Sequence, residues 1–459
     1  MAYLWDLEVD AVVVGAGACG LIAALRLAER GFDVVVLEKL AQLRGNTALS
    51  QGMIPAAGTR FQRELGIVDS PQMLYDDIMR KNGGTSDPVV TRAVSEIANT
   101  AVEWLVDRCG ISLTVCTEFA YPGFSAFRMH APSSRFGRDL LRSLETAAKR
   151  CPNLTLALQS PVRKLIPDEA DGTRVRGVLV EQPDEPLRVK ADAVVLACNG
   201  FGGNPDMVRT FIPEMADALY FGHEGNTGDG LRMARELGAI WASMHGYQGH
   251  ASVAVPHGIL ITWGTVMTGG ILLNQRGERF ANELQGYSEM AAEVKRQPGG
   301  VAYELFDQAA YEAAYTVHDF RMAIEVGAVR RFETLDEYET AFHLPSQSVR
   351  NTLAEYHKNL DAEDAFGRPD CRPLQAPYYG IRIGPALFHT QGGLKINENA
   401  QVLRQDGTIF TNLYAGGGAA EGLSGDQPKG YLSGNGLLSA VALGYIAGTH
   451  AAGAITGVQ

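Results

Sequence analysis

The 459-residue sequence is 46% hydrophobic and 20% charged, which suits a globular chain long enough for two or three structural units. A formal net charge of −12 leaves no basic surplus to neutralise phosphates, so composition argues against nucleic acid and acidic membrane surfaces as partners. The six cysteines (Cys19, Cys109, Cys116, Cys151, Cys198, Cys371) show no metal-ligand spacing and no haem-attachment motif. With no cationic leader and no unbroken apolar run long enough to span a bilayer, the expectation is a soluble cytoplasmic protein with reduced thiols and no metal.

In chain order, Asp10–Val14 reads as an apolar strand that runs into Gly15, Gly17 and Gly20. The following LIAALRLAERG has helical periodicity and ends at Gly31. A second buried strand, FDVVVLEK, ends at Glu38, 23 residues after Gly15, where a carboxylate can accept ribose hydroxyls. Gly15 permits the tight turn, Gly17 lets a pyrophosphate reach backbone N–H groups, and Gly20 allows close helix-to-strand packing. Strand, turn, helix and acidic strand end together predict a dinucleotide site at Gly15, Ala16, Gly17, Ala18, Cys19, Gly20, Glu38 and Lys39.

The segment Arg44–Met53 (RGNTALSQGM) follows closely. Residues 60–150 have mostly helical patterns. Residues 154–204 read as strands: LTLALQSPVRKLI, RVRGVLVEQ and DAVVLACNGFGGN. The turn Gly225–Gly230 precedes the helix LRMARELGA, and Asp229 is either a cofactor-side residue or a plain N-cap. From Trp241 to Phe388 the pattern is mixed, with a polar, helix-rich stretch from Ala302 to Asp364. Near the C-terminus, the strand and glycine cluster TIFTNLYAGGGAAEGLSG leads to a helix from Leu437 to Gly448, a second helix N-terminus suited to negative charge.

These motifs resemble the FAD-dependent family that contains soluble fumarate reductases and 3-ketosteroid Δ1-dehydrogenases, over nearly the whole chain. The resemblance implies an α/β fold: a Rossmann-like FAD-binding domain split in sequence into residues 1–244 and 389–459, with an inserted α+β capping or substrate domain at 245–388. It further implies flavin contacts from Gly45, Asn46, Thr47, Gly52, Met53, Val162, Asn199, Gly200, Asp229, Gly417, Gly418, Gly434, Leu437 and Leu438. Relatives with covalent flavin carry a histidine in the loop that here holds Asn46, so non-covalent FAD is expected. The family's acidic residue on the ribityl chain is replaced by Gly418, and Glu421 is displaced.

The substrate segments resembling fumarate reductases are Gln248–His250, Ile261–Thr262, Gly277–Glu283 and Phe388–Gly393. In that family the positions of His250, Thr262 and His389 hold a dicarboxylate, and the spacing of twelve between His250 and Thr262 is shared. The two arginines that deliver the proton and clamp a carboxylate are replaced by Tyr287 and Tyr431, and the proton relay by Trp263 and Val266. Tyrosines at those two positions resemble the ketosteroid enzymes, in which one tyrosine polarises a ketone, another removes the α-proton, and the β-hydride passes to flavin N5.

The expectation is therefore a dehydrogenase that desaturates the bond beside a ketone. Tyr287 is the base, and Tyr431 is the donor together with the N–H groups near Asn435 and Gly436. Thr262 and Trp263 meet the substrate, and Tyr121 is an assisting tyrosine whose simpler reading is core packing. A phenol, ordinarily near pKa of about 10, acts as a base only when lowered by donors or positive charge, and His250 or His389 as imidazolium is the expected source. A cyclic ketone, such as a cyclohexanone, 4-oxocyclohexanecarboxylate or 3-oxosteroid, suits both halves of this site. The alternatives are an ene-reductase that saturates an activated double bond and a non-catalytic flavin-binding protein; the electron partner is unidentified.

Overall fold

The computed structural model describes residues 4–118, 121–358, 360, 362–369 and 371–457. The chain divides into two compact units, one of residues 1–212, 222–247 and 389–459, the other of residues 213–221 and 248–388.

The first unit is built on an eight-stranded sheet. Its centre is the strand Leu7–Val14, parallel to Val34–Leu37 on one side and to Leu187–Leu196 on the other. Ala11–Val14, Val34–Leu37 and Ala193–Leu196 are buried, the continuous apolar runs expected of parallel strands covered on both faces. Leu154–Ala157 extends the sheet at one edge; on the other side Ile409–Ala415 runs parallel to Leu187–Leu196, with Gln401–Leu403 antiparallel beyond it at the edge. The C-terminal segment thus returns to the sheet begun by the N-terminus.

The run 154–166, read from sequence as one strand, is two: Leu154–Ala157 and Val162–Pro167. Gln159 adopts a positive φ of 52°, and Pro161 has no N–H for a ladder, so the chain turns there. Val162 then pairs antiparallel with Val180 in a hairpin that joins the sheet through Leu187–Leu196.

The C-terminal helix runs Asn435–Thr456, longer than the pattern predicts. By length and composition it could cross a membrane, yet it packs on the helix Ala18–Ala28. Gly444 and Gly448 make that approach possible, since a Cβ on either would lie 2.6 Å from the Cys19 carbonyl oxygen or 2.5 Å from that of Ala23.

The second unit contains a seven-stranded, mainly antiparallel sheet in which Tyr247–Ala254, Tyr378–Thr390, Ala302–Asp307 and Ile271–Leu273 are successive neighbours. Ala302–Asp307 corrects the helix-rich expectation at its start: every residue is buried and the strand pairs with both Ile271–Leu273 and Tyr378–Thr390. Helices cover the sheet, with Ile261, Val266, Met290, Phe306, Phe320 and Ile381 in the core between.

Candidate functional site

In the first unit the glycine turn is shaped for a dinucleotide. A Cβ on Gly15, at φ 103°, would lie 2.6 Å from the Ala197 carbonyl oxygen, and one on Gly20 only 1.9 Å from that of Gly15. At Gly17 the nearest atom is Thr47 Oγ1 at 3.6 Å, so the backbone there stays approachable. Glu38 sits at the end of its strand, where its two oxygens accept the Ala16 and Leu40 N–H groups, each at 3.0 Å. A carboxylate that spends one lone pair per oxygen on backbone keeps others for ribose hydroxyls.

Lys39 is committed elsewhere: its Nζ donates to Thr227 Oγ1 (3.0 Å) and Asp229 Oδ2 (2.8 Å). Asp229, the first residue of the helix Asp229–Glu236, also receives Arg232 (2.7 Å), and the N-cap is Gly228. Asp229 therefore ties the end of the second strand to the turn at 225–230 rather than capping the helix. Gly45 (φ 94°) opens the short helix Asn46–Leu49. Thr47 Oγ1 accepts the Ala18 N–H at 3.1 Å, and Asn46 Oδ1 accepts the His223 N–H (2.8 Å) and Asn226 Nδ2 (2.9 Å). Gly52 packs on Pro132, and Met53 Sδ receives the Tyr121 hydroxyl at 3.3 Å. Burial raises the Cys19 thiol to about 12 and Cys198 to about 11, so both remain thiols beside the turn.

Asn199, at φ 64°, bonds the Gly200 N–H (2.9 Å) through its own side chain. A Cβ on Gly418 would lie 2.0 Å from Asn199 Oδ1 and 2.8 Å from His389 Nε2, which leaves no room for a larger residue in the Gly417–Ala419 turn. Glu421 takes the Ser243 hydroxyl instead. Gly434 (φ 81°) leads into Asn435, Gly436, Leu437 and Leu438, the first turn of the C-terminal helix. Asn435 is fully buried, and its Oδ1 finds no hydrogen-bond partner among the described residues. Two helix N-termini, an open glycine approach, a strand-end carboxylate and this orphaned acceptor fit FAD.

The same unit brings Tyr431 and His389 together. A Cβ on Gly436 would be 3.9 Å from the Tyr431 hydroxyl and 4.0 Å from the His389 ring. Gln391 Nε2 donates to His389 Nδ1 at 3.0 Å, leaving Nε2 to carry the proton. Tyr121 packs with Met53, Cys116 and Met129, and its loop reaches this region through Gly123, whose Cβ would meet Leu432 at 2.7 Å.

In the second unit His250, on the strand Tyr247–Ala254, is the centre of an aromatic assembly. It stacks on Tyr287 (ring centroids 4.7 Å, planes 18° apart) and on Phe388 (5.3 Å, 24°), and meets Trp263 edge to face at 6.0 Å. Phe388 in turn stacks on Phe221 at 4.8 Å. Tyr287 opens the helix Tyr287–Arg296, held to the His250 strand where Ser288 Oγ accepts the Gly249 N–H (3.0 Å). Thr262 Oγ1 accepts the Gly264 N–H (3.2 Å), and the buried Trp263 indole N–H has no hydrogen-bond partner among the described residues. Ahead of Tyr287, Arg279 bonds Glu283 (2.7 Å) and Asp364 (2.5 Å), and Arg368 also reaches Glu283 (3.0 Å). The RFANE segment thus anchors the tyrosine-bearing helix through buried charge.

The imidazolium expected to lower the Tyr287 phenol is not formed at either histidine. Burial lowers His250 to about 3 and His389 to about 4, so neither is an imidazolium near neutral pH. The Ser252 N–H donates to His250 Nδ1 at 3.1 Å, which places the ring proton on Nε2. Both histidines are neutral donors, not cations.

The sequence reading assigned no role to Phe221 or Glu304, and placed Phe388 and Gln391 only within the substrate segment Phe388–Gly393. Glu304 is a buried carboxylate on the strand Ala302–Asp307 that accepts hydroxyl hydrogen bonds from Ser252 and from Thr265 (3.1 Å). The available signal was a lone acid at the centre of the apolar run AYELF. Among the described residues no group of three or more metal-ligating side chains is present.

Residues 10–437 match the family described as FAD binding domain. The chain is 31% identical over 453 residues to the NADH:fumarate oxidoreductase of Klebsiella pneumoniae (strain 342), covering 96% of this chain but 47% of that protein, about half its length. Its fold is similar to a flavocytochrome c3 fumarate reductase in its open conformation (TM-score 0.81, 28% identity, 98% of this chain and 79% of that one). It is also similar to the 3-ketosteroid Δ4-(5α)-dehydrogenase of Rhodococcus jostii RHA1 in complex with 4-androstene-3,17-dione (TM-score 0.79, 26% identity, 98% of both chains).

Proposed function

We propose, for a chain that belongs to the FAD binding domain family and is an FAD-dependent oxidoreductase, that its reaction is desaturation of the carbon–carbon bond next to a ketone in a small cyclic substrate. The observation that carries this reading is the pairing of Tyr287 with a neutral, buried His250 where a fumarate reductase has a proton-delivering arginine. A tyrosinate can accept an α-proton and pass it to solvent, and with both histidines neutral its stabilisation rests on hydrogen-bond donors rather than on an imidazolium.

Bound FAD supplies the two-electron acceptor for the β-hydrogen. Tyr287 takes the α-proton. In the first unit the Tyr431 hydroxyl and the Gly436 N–H are the donors for the enolate oxygen, and they act best where water is excluded. In the second unit the aromatic assembly of Tyr287, His250 and Phe388 gives an apolar wall suited to a ring substrate, and an Nε2–H donor on His250 with Thr262 can receive a further polar group such as a carboxylate. FAD is held without a covalent bond, since Asn46 carries no nucleophile, and the location is cytoplasmic.

A second reading, reduction of an activated double bond, is favoured by the fumarate-reducing relatives and by His250, Thr262 and His389 at that family's substrate positions. One anaerobic experiment separates the two. The oxidised yellow protein is mixed with a cyclohexanone, 4-oxocyclohexanecarboxylate and a 3-oxosteroid, and the visible flavin absorption is followed. Bleaching by one of them supports desaturation. Failure of all three, with reoxidation of chemically reduced enzyme by the corresponding enones or by fumarate, would overturn it in favour of reduction. Silence in both directions leaves the non-catalytic flavin-binding reading.

A further inference from the structure

Glu304 lies on the strand Ala302–Asp307, opposite Leu272 on one neighbouring strand and Ile381 on the other. It is 1% exposed. One carboxylate oxygen takes the hydroxyl of Ser252, and the other takes Thr265 Oγ1 at 3.1 Å. These two hydroxyls belong to different segments of the site. Ser252 is on the His250 strand, and its own N–H holds His250 Nδ1. Thr265 follows Thr262 and Trp263, and its Oγ1 also lies 3.0 Å from the Thr262 carbonyl oxygen.

We propose that Glu304 is a positioning residue: a single buried carboxylate that ties the His250 strand to the Thr262–Thr265 turn and sets, by its charge, the direction of the hydroxyl hydrogens between them. When ionised, it accepts from both hydroxyls. When protonated, it has a hydrogen to donate and one hydroxyl must receive it: a proton on the Thr265 side turns the Thr265 hydrogen to the Thr262 carbonyl, and one on the Ser252 side reverses the Ser252 hydroxyl. The two charge states therefore present His250 and Thr262 with different local fields while the chain path is unchanged.

The surroundings make both states accessible near neutral pH. Burial raises Glu304 to about 7, against the opposing pull of the Ser252 and Thr265 hydroxyls, and no cation contributes. The groups facing it are these two hydroxyls, His250 beyond Ser252, and Tyr338 from the helix Leu335–Phe342. The Tyr338 hydroxyl donates to the Glu304 main-chain oxygen at 2.8 Å and is itself held protonated by burial. His250 stays neutral throughout this range, so Glu304 is the group whose charge changes.

The test uses resting FAD-loaded protein without substrate, so its outcome is independent of whether a ketone is the substrate. Infrared difference spectra across pH 5.5–8.5, a window about 1.5 units either side of that value, read the protonated carboxyl stretch of buried acids. In parallel, protein labelled with ¹⁵N at the histidine rings reports His250, assigned with His250→Gln. The expected result is loss of a carboxyl band with a midpoint near neutrality, and a His250 Nδ1 shift that follows it without ring protonation. Both changes disappear in Glu304→Gln, and the nitrogen shift shrinks in Ser252→Ala while the carboxyl band persists. A carboxyl band unaffected by Glu304→Gln, or a His250 signal that ignores pH in the wild type, would overturn the proposal. The Ser252→Ala protein keeps the test decisive if Glu304→Gln fails to fold. The consequence for turnover, a larger effect on KM than on kcat, rests on the functional reading above.

Discussion

Replacing Glu304 with Gln removes a buried charge while keeping the side-chain volume, and its effect on stability should depend steeply on pH. The folded-state value of about 7 lies above the ordinary 4.5, so the folded protein binds more protons than the unfolded chain between those values. Ionisation then costs stability, which is fully retained below about 4.5 and is lost as pH rises through 7. A shift of roughly 2.5 units at 1.36 kcal/mol each gives about 3 kcal/mol. Gln cannot titrate, so the wild type should lose about 3 kcal/mol relative to the variant between pH 4.5 and 8. Hydrogen bonds weakened in the variant contribute a constant offset of about 1 kcal/mol each.

At about 2–4 °C per kcal/mol for a unit of this size, the difference in Tm should move by roughly 6–12 °C in favour of the variant. Scanning calorimetry of both proteins at fixed FAD concentration, from pH 4.5 to 8, reads this directly. Burial of His130, His250 and His389, lowered to about 4, 3 and 4, destabilises the fold as pH falls below 6.5. That loss is common to both proteins and cancels in the difference. A Tm difference that stays flat across the range would refute the reasoning, because it would mean that Glu304 has a carboxylate's ordinary acidity in the fold.

Gly20→Ala should abolish FAD binding or folding, since its Cβ would sit 1.9 Å from the Gly15 carbonyl oxygen, and retention of the yellow cofactor through gel filtration would contradict the close packing of that turn. Tyr287→Phe should keep flavin and lower turnover by about 10²–10⁴, the usual contribution of a positioned base, as read by stopped-flow bleaching; unchanged turnover would remove Tyr287 from that role. Because burial lowers His250 to about 3 and His389 to about 4, neither should produce an ionisation in the kcat/KM profile above pH 5, and a limb near 6.5 that vanishes in His389→Gln would show that the imidazole is solvated. Acid precipitation should release all FAD into the supernatant, and yellow colour retained in the pellet would establish a covalent link.

The dinucleotide half of this protein was legible in the sequence because its requirements are local. Gly15, Gly17, Gly20 and Glu38 lie on one strand–turn–helix–strand unit, and steric exclusion at the glycines speaks through residue identity alone. Tyr287 and Tyr431 stand, by the resemblance alone, where fumarate reductases carry arginines, and the Tyr287→Phe variant tests that reading. What the tertiary structure decided is what burial and long-range pairing decide. Lys39, placed in the dinucleotide site by the motif, has its ammonium bound to Asp229, 190 residues away, a pairing that neither segment shows by itself. His250 and His389 read as sources of positive charge until their surroundings exclude the water that would stabilise it. Glu304 gave no motif at all, because its partners Ser252 and Thr265 reach it only through sheet and helix packing, and the energy of a buried carboxylate depends on those neighbours rather than on its own segment.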